Sequence, residues 1–178
     1  MARFWVGVAS REHVLAAVRG AFCQLNHGKE APVRRLRRGD SIVFYSPRKR
    51  MKGGESLQAF TAAGRILDEV PYQVEQSKDF RPFRRKTRYF QNKDASIHPL
   101  LEELSFTKGR SNWGAALRMG IFQIKREDYR KIAIAMAITF EESVPGLRNP
   151  ATQSLKWRVE RTGRRPRRSL PLPRSSTE

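Results

Sequence analysis

The sequence predicts a small α+β domain in which a curved mixed sheet or open barrel is flanked by helices. Apolar, β-rich runs and amphipathic helical stretches are interleaved along the chain, without the regular alternation of parallel-sheet proteins. The length of 178 residues suits one domain with a sizeable core. Beyond about residue 142 the composition shifts to Pro, Arg and Ser. We therefore expect a single domain over residues 1–142 and a basic, largely disordered tail over 143–178.

The first predicted elements are a strand and a helix. Residues 4–9 are apolar and β-rich, which is typical of a buried strand. Ser10 is a candidate N-cap for a helix over residues 11–19, and Gly20 is its C-terminal stop. The apolar face predicted for this helix consists of Val14, Leu15 and Val18.

Three further strands are predicted in the middle of the chain. Residues 41–46 are apolar, and Pro47 is expected to end this strand because proline cannot donate a ladder hydrogen bond. Residues 57–67 form a long strand candidate, with Gly64 as a possible bulge. Residues 72–74 suit a short strand.

The remaining elements lie between residues 97 and 137. Apolar residues at helical spacing predict a short helix over 97–104, and residues 121–124 suit a last strand. Residues 126–137 have the clearest amphipathic pattern in the chain and predict a helix. Its expected apolar face consists of Tyr129, Ile132, Ala133, Met136 and Ala137.

The charge of the chain is strongly positive. There are 36 Lys and Arg residues against 17 Asp and Glu, a formal net charge of +19. Residues 1–142 hold 27 basic and 15 acidic residues, a net of +12, so the tail accounts for only part of the excess. A domain this basic attracts polyanions, of which nucleic acid is the most common. A basic surface that serves only solubility is the plainer alternative.

The most informative segment is residues 20–29, Gly-Ala-Phe-Cys-Gln-Leu-Asn-His-Gly-Lys. It lies between a predicted helix and a predicted strand, and we interpret it as a connection. A ring supplies a stacking face, while Gln, Asn and His supply donors and acceptors for the edge of a base. The segment therefore suits a flat polar ligand such as a nucleobase. An ordinary loop with one buried Phe is the alternative.

Several classes of site are missing from the sequence. One cysteine and three dispersed histidines cannot assemble a zinc ribbon or a zinc deaminase site. Walker loops, dinucleotide fingerprints and nucleophile elbows are also missing. We expect no metal, no cofactor and no catalytic residue, although Cys23 and His27 form a conceivable nucleophile–base pair. The chain has no apolar run long enough to span a membrane and no secretory signal, so we expect a cytoplasmic protein without a membrane partner.

Ordered blocks over roughly residues 2–139 resemble the EVE domain family. The blocks include Phe-Trp-Val-Gly-Val-Ala-Ser at 4–10, the segment 22–29, Gly39-Asp40 with Phe-Tyr-Ser-Pro at 44–47, and Arg-Met-Gly-Ile-Phe-Gln-Ile at 118–124. This family belongs to the PUA-like superfamily and is akin to YTH domains. The resemblance implies a PUA-like β-barrel wrapped by helices, which binds DNA or RNA and holds a flipped, modified base in an aromatic pocket.

The resemblance also implies candidate pocket residues. The place of Phe22 matches a cage wall, where YTH-like relatives use tryptophan, and Ser10 matches a contact to the base edge. A second wall is expected from Phe83, or else from Phe80. Asn26, His27 and Trp113 complete the candidates, from residue type alone. For each of these residues, core packing, capping or loop stabilisation is the structural alternative.

Basic residues near these rings are expected to hold the phosphates. Arginines interleaved with rings suit backbone clamping together with base stacking. The candidates for backbone contacts are Lys29, Arg34, Arg35, Arg37, Arg38, Arg81, Arg84, Arg85 and Arg88.

Three hypotheses for function follow from the sequence. The first is a non-enzymatic module that recognises a modified base in DNA or RNA, beside an effector protein that the sequence does not identify. The second is an RNA-binding accessory protein that is indifferent to modification and grips structured RNA by shape. The third is a small enzyme that uses Cys23 and His27.

Overall fold

A computed structural model describes residues 1–139. The predicted tail therefore lies outside the described residues. Eight strands and three α-helices are found in this part of the chain, together with three short 3-10 segments. In chain order they are β1 (Phe4–Val8), α1 (Arg11–Arg19), β2 (Phe22–Cys23), α2 (Glu30–Arg34), β3 (Ser41–Arg48), β4 (Ser56–Ile66), β5 (Tyr72–Gln73), β6 (Phe83–Tyr89), β7 (Ala95–Ser96), β8 (Ile121–Ile124) and α3 (Arg126–Ala135).

The strands form one curled mixed sheet, which resembles half of a barrel. Its main order is β2-β6-β4-β3-β1-β8, while β5 pairs with β6 and β7 pairs with β4. Strands β1 and β3 are parallel, and the other pairs are antiparallel. A register shift between β3 and β4 leaves Thr61 as an extra residue opposite Phe44 and Tyr45. Such a bulge bends a strand and increases its twist. The predicted α+β fold with a curved sheet is confirmed.

Side-chain alternation along the central strands produces a core on each face of the sheet. Phe4 and Val6 of β1 pack into the core on the side of α3, while Trp5 packs into the core on the side of α1. In the same way, β3 sends Tyr45 to the α3 side and Phe44 to the α1 side. This period of two places α1 and the connection after it on the same face of the sheet.

Several local expectations are confirmed and others are wrong. Helix α1 and strand β8 have the predicted bounds. The strand β3 does not end at Pro47 but continues to Arg48, because a register shift there removes the need for a proline donor. Gly64 is not at a bulge. It pairs regularly with Ile42 and Tyr89, and an added Cβ would lie 2.8 Å from the carbonyl oxygen of Arg88.

The faces of two helices also differ from expectation. In α1 the buried residues are Val14 and Ala17, whereas Leu15 and Val18 are exposed. The apolar stripe of α1 that packs on the sheet is therefore narrower than the one predicted from the sequence. Around residue 100 there is only a 3-10 segment, His98–Leu100, followed by turns. The predicted face of α3 is buried except for Ala137, which lies beyond the helix end and is exposed.

A buried carboxylate, Asp40, ties the start of the sheet to the turn before β3. It accepts hydrogen bonds from the backbone nitrogen and the guanidinium of Arg3, the indole Nε1 of Trp5 and the backbone nitrogen of Arg37. Burial alone would raise the pKa of Asp40, but the bonds from Arg3, Arg37 and Trp5 together hold it below its ordinary value of 3.8. Asp40 is therefore ionised near neutral pH and stabilises the fold in that form.

A buried arginine, Arg85, anchors β6 to the elements behind it. Its side chain has no exposed surface, and its Nε donates to Oδ1 of Asp68 at 2.7 Å. The remaining guanidinium nitrogens donate to the backbone carbonyls of Val33, Leu36 and Asp68. This network joins β6 to the end of α2 and to the segment after β4.

We predict that Arg85→Met lowers the free energy of unfolding by about 3–5 kcal/mol, because it leaves Oδ1 of Asp68 and several carbonyls without their donor. Urea denaturation measures this change. Lys86→Met is the matched control, since the Lys86 side chain is exposed and should alter stability by less than about 0.5 kcal/mol. Equal effects of the two substitutions would contradict the anchoring role.

Asp40→Asn should lower the free energy of unfolding by about 1–3 kcal/mol at neutral pH, because a charged acceptor is lost. The folded-state pKa of Asp40 is lowered, so its contribution is complete above the unfolded value of 3.8 and disappears as pH falls through the folded value. Urea denaturation at a series of pH values should show the difference from wild type shrinking below about pH 4.

Asp79→Asn serves as the control for this series, because Asp79 is exposed. A gap between wild type and Asp40→Asn that stays constant down to pH 2 would contradict the ionised role of Asp40.

Candidate functional site

A cavity of about 570 Å³ lies where β1 ends, beside the first turn of α1 and the connection between β2 and α2. Its volume falls within the range of typical small-ligand sites. The lining residues are Val8, Ala9, Ser10, His13, Gln24, Leu25, Asn26, His27, Lys29, Met51, Gln76, Phe80, Leu117, Arg118 and Gly120. The set combines an apolar floor with many hydrogen-bonding tips, and it includes no carboxylate.

One wall is an unusual turn at residues 26–28. Asn26, His27 and Gly28 have φ values of 45°, 57° and 76°, so three successive residues adopt the left-handed region. Asn and His tolerate this region better than most residues. Gly120 also has a positive φ of 74°, and a Cβ there would lie 2.1 Å from Oδ1 of Asn26. The Asn26 side chain therefore packs directly on the backbone before β8.

A hairpin between β5 and β6 supplies the aromatic wall. Backbone hydrogen bonds continue outward from these strands, from Val74 to Pro82 at 3.1 Å and from Gln76 to Phe80 at 3.0 Å. The hairpin packs closely on Gly28, where an added Cβ would lie 2.3 Å from the Cβ of Pro82 and 3.4 Å from the Phe80 ring. This packing brings Phe80, which is 36% exposed, to the cavity.

Arg84 fixes two amide side chains of the cavity. Its guanidinium carbon lies 3.7 Å from the centroid of the Phe22 ring, its Nε donates to Oε1 of Gln24 at 2.8 Å, and a terminal nitrogen donates to Oε1 of Gln76 at 2.7 Å. An arginine has no acceptor, so both glutamines must turn their oxygens toward it. Their NH₂ groups remain available as donors to a ligand.

His13 provides a further defined polar group. Its Nε2 lies 3.3 Å from the backbone oxygen of Gln24, which can only accept, so Nε2 carries the proton in the neutral ring. Burial lowers the pKa of His13, the bond to Gln24 opposes this, and the charges of Arg84 and His27 lower it further. At neutral pH the ring is therefore neutral, and its Nδ1 is an acceptor.

Two cations border this cavity without a carboxylate partner among residues 1–139. Lys29 and Arg118 are both exposed, and neither forms a salt bridge within this range. The cavity thus has a positive rim and a neutral, polar interior.

Of the pocket residues predicted from sequence, Ser10, Asn26, His27 and Phe80 line this cavity together. Ser10 occupies the N-cap position of α1, but its side chain makes no capping hydrogen bond. Its hydroxyl is therefore free to contact a ligand.

The other three predicted pocket residues do not line this cavity. Phe22 is 8% exposed and is covered by the Arg84 guanidinium. Phe83 packs against the core on the α1 side because it shares a face of β6 with Arg85. Trp113 borders a neighbouring cavity and makes an edge-to-face contact with His98, with ring centroids 6.1 Å apart.

The predicted phosphate-binding arginines are placed less uniformly. The prediction that Arg85 contacts phosphates is wrong, because its guanidinium is buried and its nitrogens donate to oxygens of the protein. Arg35 lies over the Trp5 ring at 5.0 Å. Arg84 contacts the cavity only indirectly, through its hydrogen bonds to Gln24 and Gln76. Arg34, Arg38 and Arg81 form exposed ion pairs with Glu30, Glu69 and Glu75, respectively.

Exposed ion pairs are weak and exchange readily for other partners. Arg37 and Arg88 are exposed, with no carboxylate partner among residues 1–139. Arg34, Arg37, Arg38, Arg81 and Arg88 therefore remain accessible to a polyanion, although none of them lines the cavity.

Sequence reasoning did not assign His13, Gln76 and Arg118 to the site, and it noted Gln24 only as part of the 20–29 segment. The polar tips of this segment were a usable signal for Gln24. The other three come from a helix, a hairpin and the turn before β8, which only the tertiary fold brings together.

Cys23 is fully buried, and burial raises the pKa of its thiol far above the ordinary value. A protonated, inaccessible thiol cannot act as a nucleophile. The Cys23–His27 enzyme hypothesis therefore loses its catalytic group. No helix within residues 1–139 has the length and apolar character to cross a membrane.

Several known proteins are similar in sequence to this chain. UPF0310 proteins of Mesorhizobium japonicum and Mycolicibacterium gilvum are 47% and 45% identical to this chain. The alignments cover 76% and 75% of this chain, and 93% and 95% of the relatives. A UPF0310 protein of Streptococcus gordonii is 45% identical over 71% of this chain and 88% of its own length.

A solved structure of a protein from Agrobacterium tumefaciens is similar in fold, with a TM-score of 0.50 and 10% identity over 81% of this chain and 99% of that chain. The model of the EVE domain matches residues 3–135, which include every element of the sheet and all three helices. The chain therefore belongs to the EVE domain family, whose PUA-like fold it adopts.

Proposed function

We propose that this chain is a nucleic-acid-binding module that holds one unstacked base, preferably a modified one, in the cavity beside α1. The observation that carries this proposal is the lining of the cavity. A ring, several directed donors and acceptors, and a cationic rim surround a space of about 570 Å³ that no carboxylate borders.

The polar groups of the cavity suit the edge of a base. Gln24 and Gln76 offer NH₂ donors because Arg84 occupies their oxygens. The hydroxyl of Ser10 and the Nδ1 of neutral His13 add acceptors. A base edge presents both acceptors and donors, so this mixture recognises it better than a surface of cations alone.

Stacking supplies the energy that offsets the removal of the base from its neighbours. Unstacking costs a few kcal/mol, and stacking on a ring returns about 1–3 kcal/mol for each base. Phe80 is the ring that the cavity presents for this contact. A buried methyl group adds about 0.8 kcal/mol, which corresponds to a preference of several-fold for a methylated base.

Affinity for the strand itself comes from charge. Lys29 and Arg118 lie at the rim, and the chain carries a net charge of +19. Phosphate contacts position a strand without discriminating sequence, and they weaken as salt increases. Charge therefore supplies most of the affinity, and the cavity supplies the selectivity.

A modification-independent RNA-binding protein is the second candidate. The exposed cations outside the cavity, such as Arg37 and Arg88, favour it because they suit contacts to any phosphate backbone. The two candidates differ in what they require of the cavity.

Titration of single-stranded DNA and RNA nonamers, plain and with one methylated base, tests the proposal directly. We predict a several-fold preference for one methylated strand, measured by fluorescence anisotropy. Phe80→Ala should weaken binding of that strand about tenfold, because stacking is lost. Val70→Ala is the control, since Val70 is 70% exposed and borders none of the described cavities.

Equal affinities for all strands would reject recognition of modification. Unchanged affinity of Phe80→Ala would favour the RNA-binding alternative, which grips the backbone and makes no use of the ring.

The substitution Gln24→Glu tests the NH₂ donor of Gln24 separately from the contact between its side-chain oxygen and Arg84. A glutamate keeps an oxygen for Arg84 but replaces the NH₂ donor with a second acceptor, so we predict at least a tenfold loss of affinity for the preferred strand at an unchanged or higher thermal midpoint. Gln73→Glu adds the same charge on the β5–β6 hairpin, which contacts Gln24 through Arg84, but outside the cavity, and controls for general repulsion. Equal losses in the two variants would contradict a role for the Gln24 donor.

A further inference from the structure

A second cavity of about 400 Å³ adjoins the first. It shares three residues with the first cavity, namely Val8, Leu117 and Arg118. Its own walls come from β3, from the start of β4 and from the segment around residues 111–114. The two cavities thus form a continuous surface on either side of the Arg118 position.

Two aromatic residues define this second cavity. Trp113 is partly buried and lies at its edge. Tyr45 also lines it although only 3% of that residue is exposed, and its hydroxyl takes part in none of the hydrogen bonds described within residues 1–139. A tyrosine hydroxyl at the wall of a cavity can donate a hydrogen bond to a ligand there. Burial raises the pKa of Tyr45 to about 12, so the group remains a donor.

The remaining lining mixes the apolar residues Val8, Pro47 and Leu117 with polar side chains, and it includes no carboxylate. Gln58 is held by a 2.7 Å contact between its Oε1 and Nε2 of His98, and Ser111 and Asn112 also line the cavity. The composition matches that of the first cavity, with an aromatic ring, a directed polar group and neutral hydrogen-bonding side chains.

Arg118 borders both cavities. It is exposed and makes no ion pair or hydrogen bond within residues 1–139. A nucleic-acid strand has the same order of groups, since a phosphate lies between two successive bases. A free guanidinium between two base-sized hollows therefore suits a dinucleotide step.

We propose that the second cavity is a subsite for the nucleotide adjacent to the one held beside α1, with its base against Trp113 and Tyr45 and the intervening phosphate on Arg118. This inference rests on the proposed function, because the first cavity must hold a base for the second to hold its neighbour. It makes the recognition unit two nucleotides long.

The test uses nonamer single strands, of DNA and of RNA, in which every position is abasic except the centre, or except the centre and one neighbour on either side. The central base is 5-methylcytosine or N6-methyladenine, and the neighbour is thymine in DNA or uracil in RNA. Affinities are compared for the full wild-type chain, Trp113→Leu and Tyr45→Phe. The first substitution removes the ring face, and the second removes only a hydroxyl.

In the wild type, the central base should raise affinity over the fully abasic strand, and one neighbour should raise it a further tenfold or so. In Trp113→Leu the gain from the neighbour should disappear while the gain from the central base remains. Tyr45→Phe should reduce the gain from the neighbour at an unchanged thermal midpoint.

A wild-type gain from the central base with no gain from either neighbour would overturn the second subsite and leave the proposed function standing. No gain from the central base would instead reject the proposed function. A neighbour gain that persists in both variants would place the adjacent base elsewhere and overturn this inference.

Discussion

The buried ion pair between Arg85 and Asp68 is the constraint on which the candidate site depends. It fixes β6 against α2 and against the segment that follows β4. Because side chains alternate along a strand, the same anchor sends Arg84 to the opposite face. There Arg84 covers Phe22 and holds Gln24 and Gln76. The buried ion pair thus determines, through Arg84, how the amide groups of Gln24 and Gln76 are oriented in the cavity.

The adjacent arginines also show the limit of sequence reasoning. Residues 83–89 form strand β6, although no strand is predicted there because their sequence, Phe-Arg-Arg-Lys-Thr-Arg-Tyr, lacks the apolar pattern of a buried strand. Nothing local distinguishes Arg85, which is fully buried, from Lys86, which is exposed. Their roles follow from a carboxylate at Asp68 that folding brings to 2.7 Å. By contrast, α1 and β8 were predictable because capping residues and apolar runs within each element determine them.

The candidate site was predictable to a similar degree. The polar tips of residues 20–29 indicated a ligand-binding connection, and Asn26, His27 and Lys29 do line the cavity. The ring of that segment does not, because Phe22 packs beneath Arg84 against Gly20. The exposed ring instead comes from Phe80, which a hairpin delivers to Gly28. The close packing of the hairpin on Gly28, which has a positive φ, depends on the tertiary fold. The sequence shows only that a glycine is present at this position.

The most direct test of the central claim is a two-dimensional ¹H–¹⁵N NMR titration of the chain with the methylated nonamer. If a base enters the cavity beside α1, the largest shift changes should fall on the amides of Gln24, Asn26 and His27, which line it. Changes confined to exposed arginines such as Arg37 and Arg38, with the wall amides unmoved, would contradict the account.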